Sequence, residues 1–589
     1  MCGILAVLET DSCVGAAARH AGSADARLDR LAHRGPDGRG ALLTGRAWLG
    51  HRRLAIVDPE GGRQPMTGAG GVAWIANGEI YNHDSLRARF CEGADASSGA
   101  SDCAVIGPVW RALGDGAPAA LDGQFAFVAC DERGHWIAAR DHAGICPLYR
   151  GVHADGSIWF ASEMKALVDV CASVEIVPPC CAWVFEPGSG ARLIEWRRPS
   201  WMDRTPVAPP DHGALRAALV GAVRKRFMAD VPFGVLLSGG VDSSLVASIA
   251  CRLAREEGLT GGEPIHSFSI GLRDADGGAP DLAHARTASA FLGTVHHEYT
   301  FSIDEAWGAI PTLVRHLESY QQVRTAVPTY LLAKAMRADG FKMALSGEGA
   351  DEILGGYLYF HKAPSREAFH EETVRKFTRL HQYDVMRANK APMARGVELR
   401  FPFLDPAFVD LAMGIDPAHR MPGGVHGARA IEKRVLREAF DDPREPWLPA
   451  EVLWRQKEQF SDGVGYGWVD AIRERALALL GGDSLASRSR RFARFDEPTT
   501  PEMLMMREIF EREFVEQMAS GDSALATVGV GRSIACSTPE ALAWDPAWAK
   551  SGGDISGRTM AGVHGVATGA GGAGAGVGHE SGVGPAAVA

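Results

Sequence analysis

Ser238-Gly239-Gly240-Val241-Asp242-Ser243-Ser244 is the stretch on which the reading of this chain turns. The apolar run Phe233-Gly-Val-Leu-Leu237 feeds into it, and Leu245-Val-Ala-Ser-Ile-Ala-Cys-Arg-Leu-Ala254 leaves with helical spacing. A strand, a glycine turn and a helix start are therefore predicted. The glycines let backbone N–H groups crowd around an anion, and the new helix turns its positive end to the same point. Ser243 and Ser244 add hydroxyl donors, and Asp242 is placed to hold Mg²⁺ beside phosphates. No Lys follows the glycines, so this is not a Walker loop. Taken alone, the heptapeptide also suits a plain Gly-rich turn with an Asp/Ser cap. The alternative is a pyrophosphate loop that holds ATP for adenylation, and the flanking sequence decides between them.

Downstream, Pro264-Ile-His-Ser-Phe-Ser-Ile-Gly-Leu272 predicts a second strand and Leu282–Leu292 a helix. Upstream, His212–Phe227 has the spacing of an amphipathic helix. Alternating strands and helices imply a doubly wound parallel sheet, which binds ligands beyond the carboxyl ends of its strands. Ile270 sits at such an end, where a core role and a backbone contact to adenine are compatible. Phe341-Lys-Met-Ala-Leu-Ser-Gly-Glu-Gly-Ala-Asp351 is another strand running into a Gly/acid loop, and Asp351 offers Mg²⁺ a second carboxylate opposite Asp242. Lys457, among acids in Trp454–Gly465, suits either a surface salt bridge or neutralisation of a departing pyrophosphate.

The amino-terminal third reads differently. Cys2 becomes the first residue if Met1 is removed, and an N-terminal Cys carries a thiol nucleophile with an α-amine of pKa about 8 as its own base. Asn77-Gly-Glu-Ile-Tyr-Asn82 follows the strand Val72–Ala76, and an Asn side chain beside a glycine N–H makes an oxyanion hole. Asp102 offers a carboxylate to a substrate amine. Many short strands next to turn residues, among them Leu121–Ala129, Ile137–Tyr149 and Ile158–Glu163, suggest a two-sheet core.

Met1-Cys-Gly-Ile4, His33-Arg-Gly-Pro-Asp37, Asn77-Gly-Glu-Ile-Tyr-Asn82 and Arg140-Asp-His-Ala-Gly-Ile-Cys-Pro-Leu-Tyr149 resemble, in order, the motifs of class II glutamine amidotransferases. The resemblance implies an N-terminal-nucleophile αββα glutaminase domain. By it Cys2 attacks the glutamine carboxamide and Asn77 with Gly78 stabilises the oxyanion. Arg53 pairs with the α-carboxylate, Leu54, Ala55, Ile56 and Val57 line the substrate, and Glu79 and Asp102 hold its ammonium end. From residue 1 to about 565 the chain is similar to glutamine-hydrolysing asparagine synthetases of the bacterial type. That similarity implies an ATP-pyrophosphatase domain in which ATP adenylates a carboxylate and ammonia, delivered through an interior tunnel, attacks the acyl-adenylate. It implies nucleotide contacts from Leu236, Ile270, Ser346 and Gly347. It places Ser238, Gly239, Gly240, Asp242 and Ser243 at the pyrophosphate, with Asp242 and Asp351 on Mg²⁺. Glu348 and Lys457 act on the acyl-adenylate, and Arg324 matches a loop arginine lying over it. The loop departs from the family's pattern: Gln321-Gln-Val-Arg-Thr-Ala-Val327 is two residues shorter and lacks paired threonines. The carboxylate therefore stays open between aspartate, the leading expectation, and another amino acid, including the substrate of a β-lactam-forming branch that needs no ammonia.

At 589 residues the chain exceeds one core. The expected division is a glutaminase domain at 1–195, a Pro/Arg-rich linker at 196–211, a synthetase domain at 212–550 and a flexible Gly/Ala-rich tail at 551–589. A net charge of −11 argues against nucleic acid as principal partner. The absence of long apolar runs argues against a membrane span, and Met1–Glu9 lacks the basic start of a signal peptide. Eleven scattered cysteines without metal spacing read as reduced thiols of a cytoplasmic protein. Glutamine, ATP and aspartate are the expected small-molecule partners; the sequence does not give the oligomeric state, and the resemblance, whose members are often dimers, allows a homodimer.

Overall fold

The computed structural model describes residues 1–91, 101–273, 279–423, 430–458, 460–465, 467–482, 484–516, 518–529 and 539–545. The expected tail, 551–589, lies outside them. In chain order the amino-terminal strands are β1 (Gly3–Leu8), β2 (Gly38–Thr44), β3 (Ala47–Arg53), β4 (Met66–Thr67), β5 (Ala73–Ile80), β6 (Gly123–Cys130), β7 (Trp136–Arg140), β8 (Tyr149–Val152), β9 (Ile158–Ala161), β10 (Ser173–Ile176), β11 (Cys181–Glu186) and β12 (Gly190–Glu195). They form two six-stranded sheets, β10-β8-β9-β1-β3-β2 and β12-β11-β7-β6-β5-β4, with antiparallel pairing. Side chains alternate between faces with period two. On β5, Ala73 and Ile75 enter the core between the sheets, whereas Trp74 and Ala76 turn to the outer layer. That outer layer is the helix Ile106–Leu113, which lays Ile106, Val109 and Trp110 on Trp74. The helix Ala16–Leu28 covers β1 and β3 on the opposite side through Ala17, Ala24 and Leu28. The αββα expectation is met.

The second domain is built on β13 (Phe233–Leu236), β14 (His266–Leu272), β15 (Val295–Phe301), β16 (Met343–Leu345) and β17 (Glu398–Arg400), ordered β15-β14-β13-β16-β17 and parallel throughout. The order reverses at β13, so a crevice opens at the carboxyl ends of β13, β14 and β16. The glycine turn leaves β13 there and starts the helix Val241–Glu257, whose first turn is fully buried.

The stretch 196–211 runs largely over the surface and is anchored at two points. Trp201 is buried and donates its indole N–H to Asp410 at 3.0 Å, and the N–H of Asp416 donates to the carbonyl of Ala208 at 2.8 Å. Between the domains runs a buried ionic chain. Arg34 reaches Glu163 at 3.0 Å, Lys165 pairs with both Glu163 and Glu318, and Lys390 reaches Glu318 at 2.6 Å. Glu318 also accepts the backbone N–H groups of Met164 and Lys165, at 2.9 and 2.7 Å. Among the described residues no helix is long and apolar enough to cross a membrane.

Candidate active sites

Cys2 sits at the head of β1 and is nearly buried. Its Sγ accepts the N–H of Leu54 at 3.4 Å, and burial raises its thiol pKa against the opposing pull of the terminal ammonium. The N–H of Cys2 donates to Asn77 Oδ1 at 2.6 Å. That bond fixes the amide of Asn77 so that Nδ2 is a buried donor with no partner among the described residues. Gly78 follows at φ 137°, and a Cβ there would stand 1.9 Å from the carbonyl oxygen of Gln124, so only glycine fits. An unsatisfied amide next to a thiol is the arrangement an oxyanion hole requires. The amine of Met1 pairs with Glu398, and the nitrogen of Cys2, an amide while Met1 is attached, becomes a base when Met1 is removed.

The carboxylates expected to hold an ammonium are both buried. Asp102 accepts the N–H of Ile80 at 2.7 Å, and desolvation raises its pKa. Burial pushes Glu79 up to about 7, partly offset by Arg400 and reinforced by Asp102. Arg53 donates to the carbonyls of Pro59 at 2.7 Å and Asp58 at 2.5 Å, and so shapes the turn after Leu54–Val57. Ala55 is pinned through its N–H to Asp37 at 2.9 Å.

The second cavity lies at the sheet crevice. It is lined by Leu236, Ser238, Gly240, Asp242, Ser243, Ile270, Ser346, Gly347, Glu348, Asp351 and Lys457, with Gly239 in the turn behind. At φ 74° Gly239 passes against His284, where a Cβ would come within 2.4 Å. Ser238 and Ser243 bond each other through their hydroxyls at 3.1 Å, holding the turn around the helix start. Lys433, itself in left-handed backbone at φ 56°, places its ammonium between Asp242 and Asp351, and Lys457 reaches the other oxygen of Asp351 at 2.8 Å. Burial works to raise the pKa of Asp351, but the two lysines prevail and hold it well below the usual carboxylate range. Two carboxylates bridged by a cation, with Asp242 Oδ1 buried and unpartnered, are a donor set that fits Mg²⁺. Glu348 is engaged by Arg387 at 2.8 Å.

Residues 1–180 match the family model described as the glutamine amidotransferase domain, and residues 214–368 and 362–528 match the model described as asparagine synthase. The chain belongs to the asparagine synthase family. It is 46% identical over 571 residues to the glutamine-hydrolyzing asparagine synthetase of Asparagus officinalis, covering 96% of this chain and 93% of that one. To the glutamine-hydrolyzing asparagine synthetase 2 of Oryza sativa subsp. japonica it is 45% identical over 575 residues, covering 96% and 94%. A solved allosteric regulatory enzyme of purine biosynthesis is 17% identical, with a TM-score of 0.27 over 51% of this chain and 80% of that one.

For this member of the asparagine synthase family, the structure gathers every expected nucleotide and metal residue at one crevice, and Cys2, Leu54, Asn77 and Gly78 at another. Arg324 is the correction. Its guanidinium turns away from the cavity into a two-pronged ion pair with buried Glu502, at 2.9 and 2.5 Å, and the indole N–H of Trp468 donates to its carbonyl. A buried carboxylate needs a cation more than a solvated crevice does, and here Arg324 meets Glu502 instead of lining the crevice. From the same shortened loop, Gln322 and Thr325 line the cavity instead, Thr325 donating to the Gln322 carbonyl at 3.0 Å. Sequence reasoning missed Lys433, Arg387 and Arg400. None stands in a glycine-rich motif, and each gains its place from a partner far along the chain.

Proposed function

We propose that this chain makes asparagine from aspartate, with ammonia from glutamine hydrolysis and energy from ATP. The observation that carries the reading is that two complete constellations, Cys2 with Asn77–Gly78 and the Ser238–Ser243 turn with Asp242 and Asp351, lie in one chain on either side of β17. In the glutaminase half, the thiol of Cys2 gives its proton to the α-amine exposed by loss of Met1 and attacks the carboxamide carbon. Asn77 Nδ2 and the N–H of Gly78 receive the oxyanion, and ammonia leaves. Water then releases glutamate. In the synthetase half, a carboxylate oxygen of aspartate attacks the α-phosphorus of ATP and pyrophosphate leaves. The N–H groups and hydroxyls of the glycine turn hold the departing group, and Lys457 neutralises it. Asp242 and Asp351 are the residues that would hold Mg²⁺, which supplies further neutralisation of the phosphates. Beside Glu348 the cavity presents Arg387 and Asp384, one charge of each sign, matching the zwitterionic end of an amino acid. Ammonia attacks the acyl-adenylate and AMP leaves. The reading carries with it a cytoplasmic setting and a homodimer, without nucleic acid.

The named relatives are asparagine synthetases, which gives no support to a different carboxylate or to lactam closure. The test is incubation with ATP, Mg²⁺, glutamine and aspartate, with asparagine, glutamate and pyrophosphate measured together. Matched amounts of all three are expected. Glutamate formed without pyrophosphate would sink the assignment of aspartate.

A further inference from the structure

Strand β17 belongs to the synthetase sheet, yet its side chains serve both halves. Leu399 lines the nucleotide cavity, whereas Glu398 and Arg400, on the opposite face, point into the glutaminase half. Arg400 is fully buried. Its Nε donates to Glu398 at 2.6 Å and its Nη1 to the carbonyl of Arg226 at 3.1 Å. That leaves Nη2 3.1 Å from Glu79 Oε2, as an ion pair too bent to be a hydrogen bond. Glu79 Oε2 is thus a buried acceptor still lacking a donor among the described residues. The main chain of the same arginine faces the other way: its carbonyl accepts the N–H of Ser346, at the mouth of the nucleotide loop, at 2.9 Å.

We propose that Arg400 is a positioning residue of the glutamine site, reaching from the synthetase domain to aim Glu79 at the substrate ammonium. The inference rests on the reading of Glu79 as an ammonium acceptor. A carboxylate enclosed this deeply prefers its neutral form, and a neutral carboxyl cannot pair with an ammonium. The groups around it are Asp102, which repels its charge, the terminal amine, which favours it, and Cys2, Tyr81, His83 and Cys103, which are weaker neighbours. Arg400 is the strongest of the favourable ones. Because its backbone is bonded to Ser346, the glutamine site is completed by the strand that also shapes the nucleotide cavity. Glutamine hydrolysis is thereby tied to the docked arrangement of the two domains.

The test compares Arg400→Gln and Arg400→Lys with the unaltered chain, measuring glutamine-dependent and ammonia-dependent asparagine formation from about pH 6 to about pH 9. For Arg400→Gln, the KM for glutamine rises about fivefold or more at pH 7, kcat changes little, and the acid limb of kcat/KM for glutamine moves up by about one pH unit or more. Arg400→Lys keeps that limb near its original place because the charge is retained. Ammonia-dependent synthesis stays within about twofold in both. An unmoved limb in Arg400→Gln, or equal losses in both reactions, overturns the proposal in favour of a purely structural arginine. If Arg400→Gln does not fold, Arg400→Met takes its place as the variant without the charge, and an acid limb left where the unaltered chain has it is the overturning result. Glu79→Gln separates the two layers of the argument. If it leaves the KM for glutamine unchanged, the assignment of Glu79 to the ammonium is what fails, and Arg400 falls with it.

Discussion

Cys2 and Asn77 are joined by the bond from the Cys2 N–H to Asn77 Oδ1, and the role proposed for each yields a distinct expectation. Cys2→Ala removes the nucleophile but leaves the crevice of β13, β14 and β16 untouched. Glutamine-dependent synthesis is therefore expected to vanish while ammonia-dependent synthesis persists, as read by asparagine formation with each nitrogen source. A variant that keeps using glutamine would refute the nucleophile. Asn77→Ala deletes the unpartnered Nδ2 donor and should lower kcat for glutaminase by about 10²- to 10³-fold, the usual cost of one oxyanion donor. At this scale the sequence makes the side chains legible, a Cys at position 2 and an Asn-Gly pair at 77–78, but not the bond that brings Cys2 to Asn77 across 75 residues. Arg324 shows the limit. A cation in a loop over the crevice was expected to face the substrate, but Glu502, 178 residues away, captures it.

At the level of elements, the turn between β13 and its helix sets the geometry of the nucleotide crevice. Gly239 lies in left-handed backbone against His284, so Gly239→Ala combines backbone strain with a clash and should raise the KM for ATP with little effect on glutaminase activity. Asp242→Asn weakens the two-carboxylate donor set, and pyrophosphate release is expected to fall to background. Chelation of Mg²⁺ should have the same outcome, with glutamate formation continuing in both cases. Arg324→Met leaves Glu502 buried without its partner. A loss of about 3–5 kcal/mol is expected, read as a lower midpoint of thermal unfolding, while the KM values of the folded fraction hold. A large rise in the KM for aspartate at unchanged midpoint would restore Arg324 to the site. The strands and helices around this turn were legible from apolar spacing and glycine placement, with ends displaced by a residue or a few. The predicted strand from Pro264 begins at His266, and the helix from Leu282 begins at Pro280.

Across the whole molecule, the two domains share one continuous core and are joined by the ionic chain from Arg34 to Lys390. Glu318 stands at its centre, clamping the backbone of Met164 and Lys165 from the end of the helix Ile303–Leu317, four residues before cavity-lining Gln322. Glu318→Ala should loosen the docking of the domains. The expected signature is glutamate produced in excess over asparagine, together with faster proteolysis near 196–211. A ratio that stays at one would show that docking does not depend on this clamp. Apolar periodicity and glycine turns were enough to indicate a two-sheet core followed by a parallel sheet, since these depend on local spacing, whereas the αββα layer order and the chemistry expected of each half came from the resemblance of the short motifs to a family. Folding alone chose the distant pairs: Met1 with Glu398, 397 residues apart, and Arg400 with Glu79 across the domain boundary, and Lys433 with Asp242, 191 apart, within the synthetase half. The reason is electrostatic. A charge exposed on an unfolded chain has no preferred partner in water, and only when packing strips that water away does one opposite charge, brought near by the fold, become worth far more than the rest.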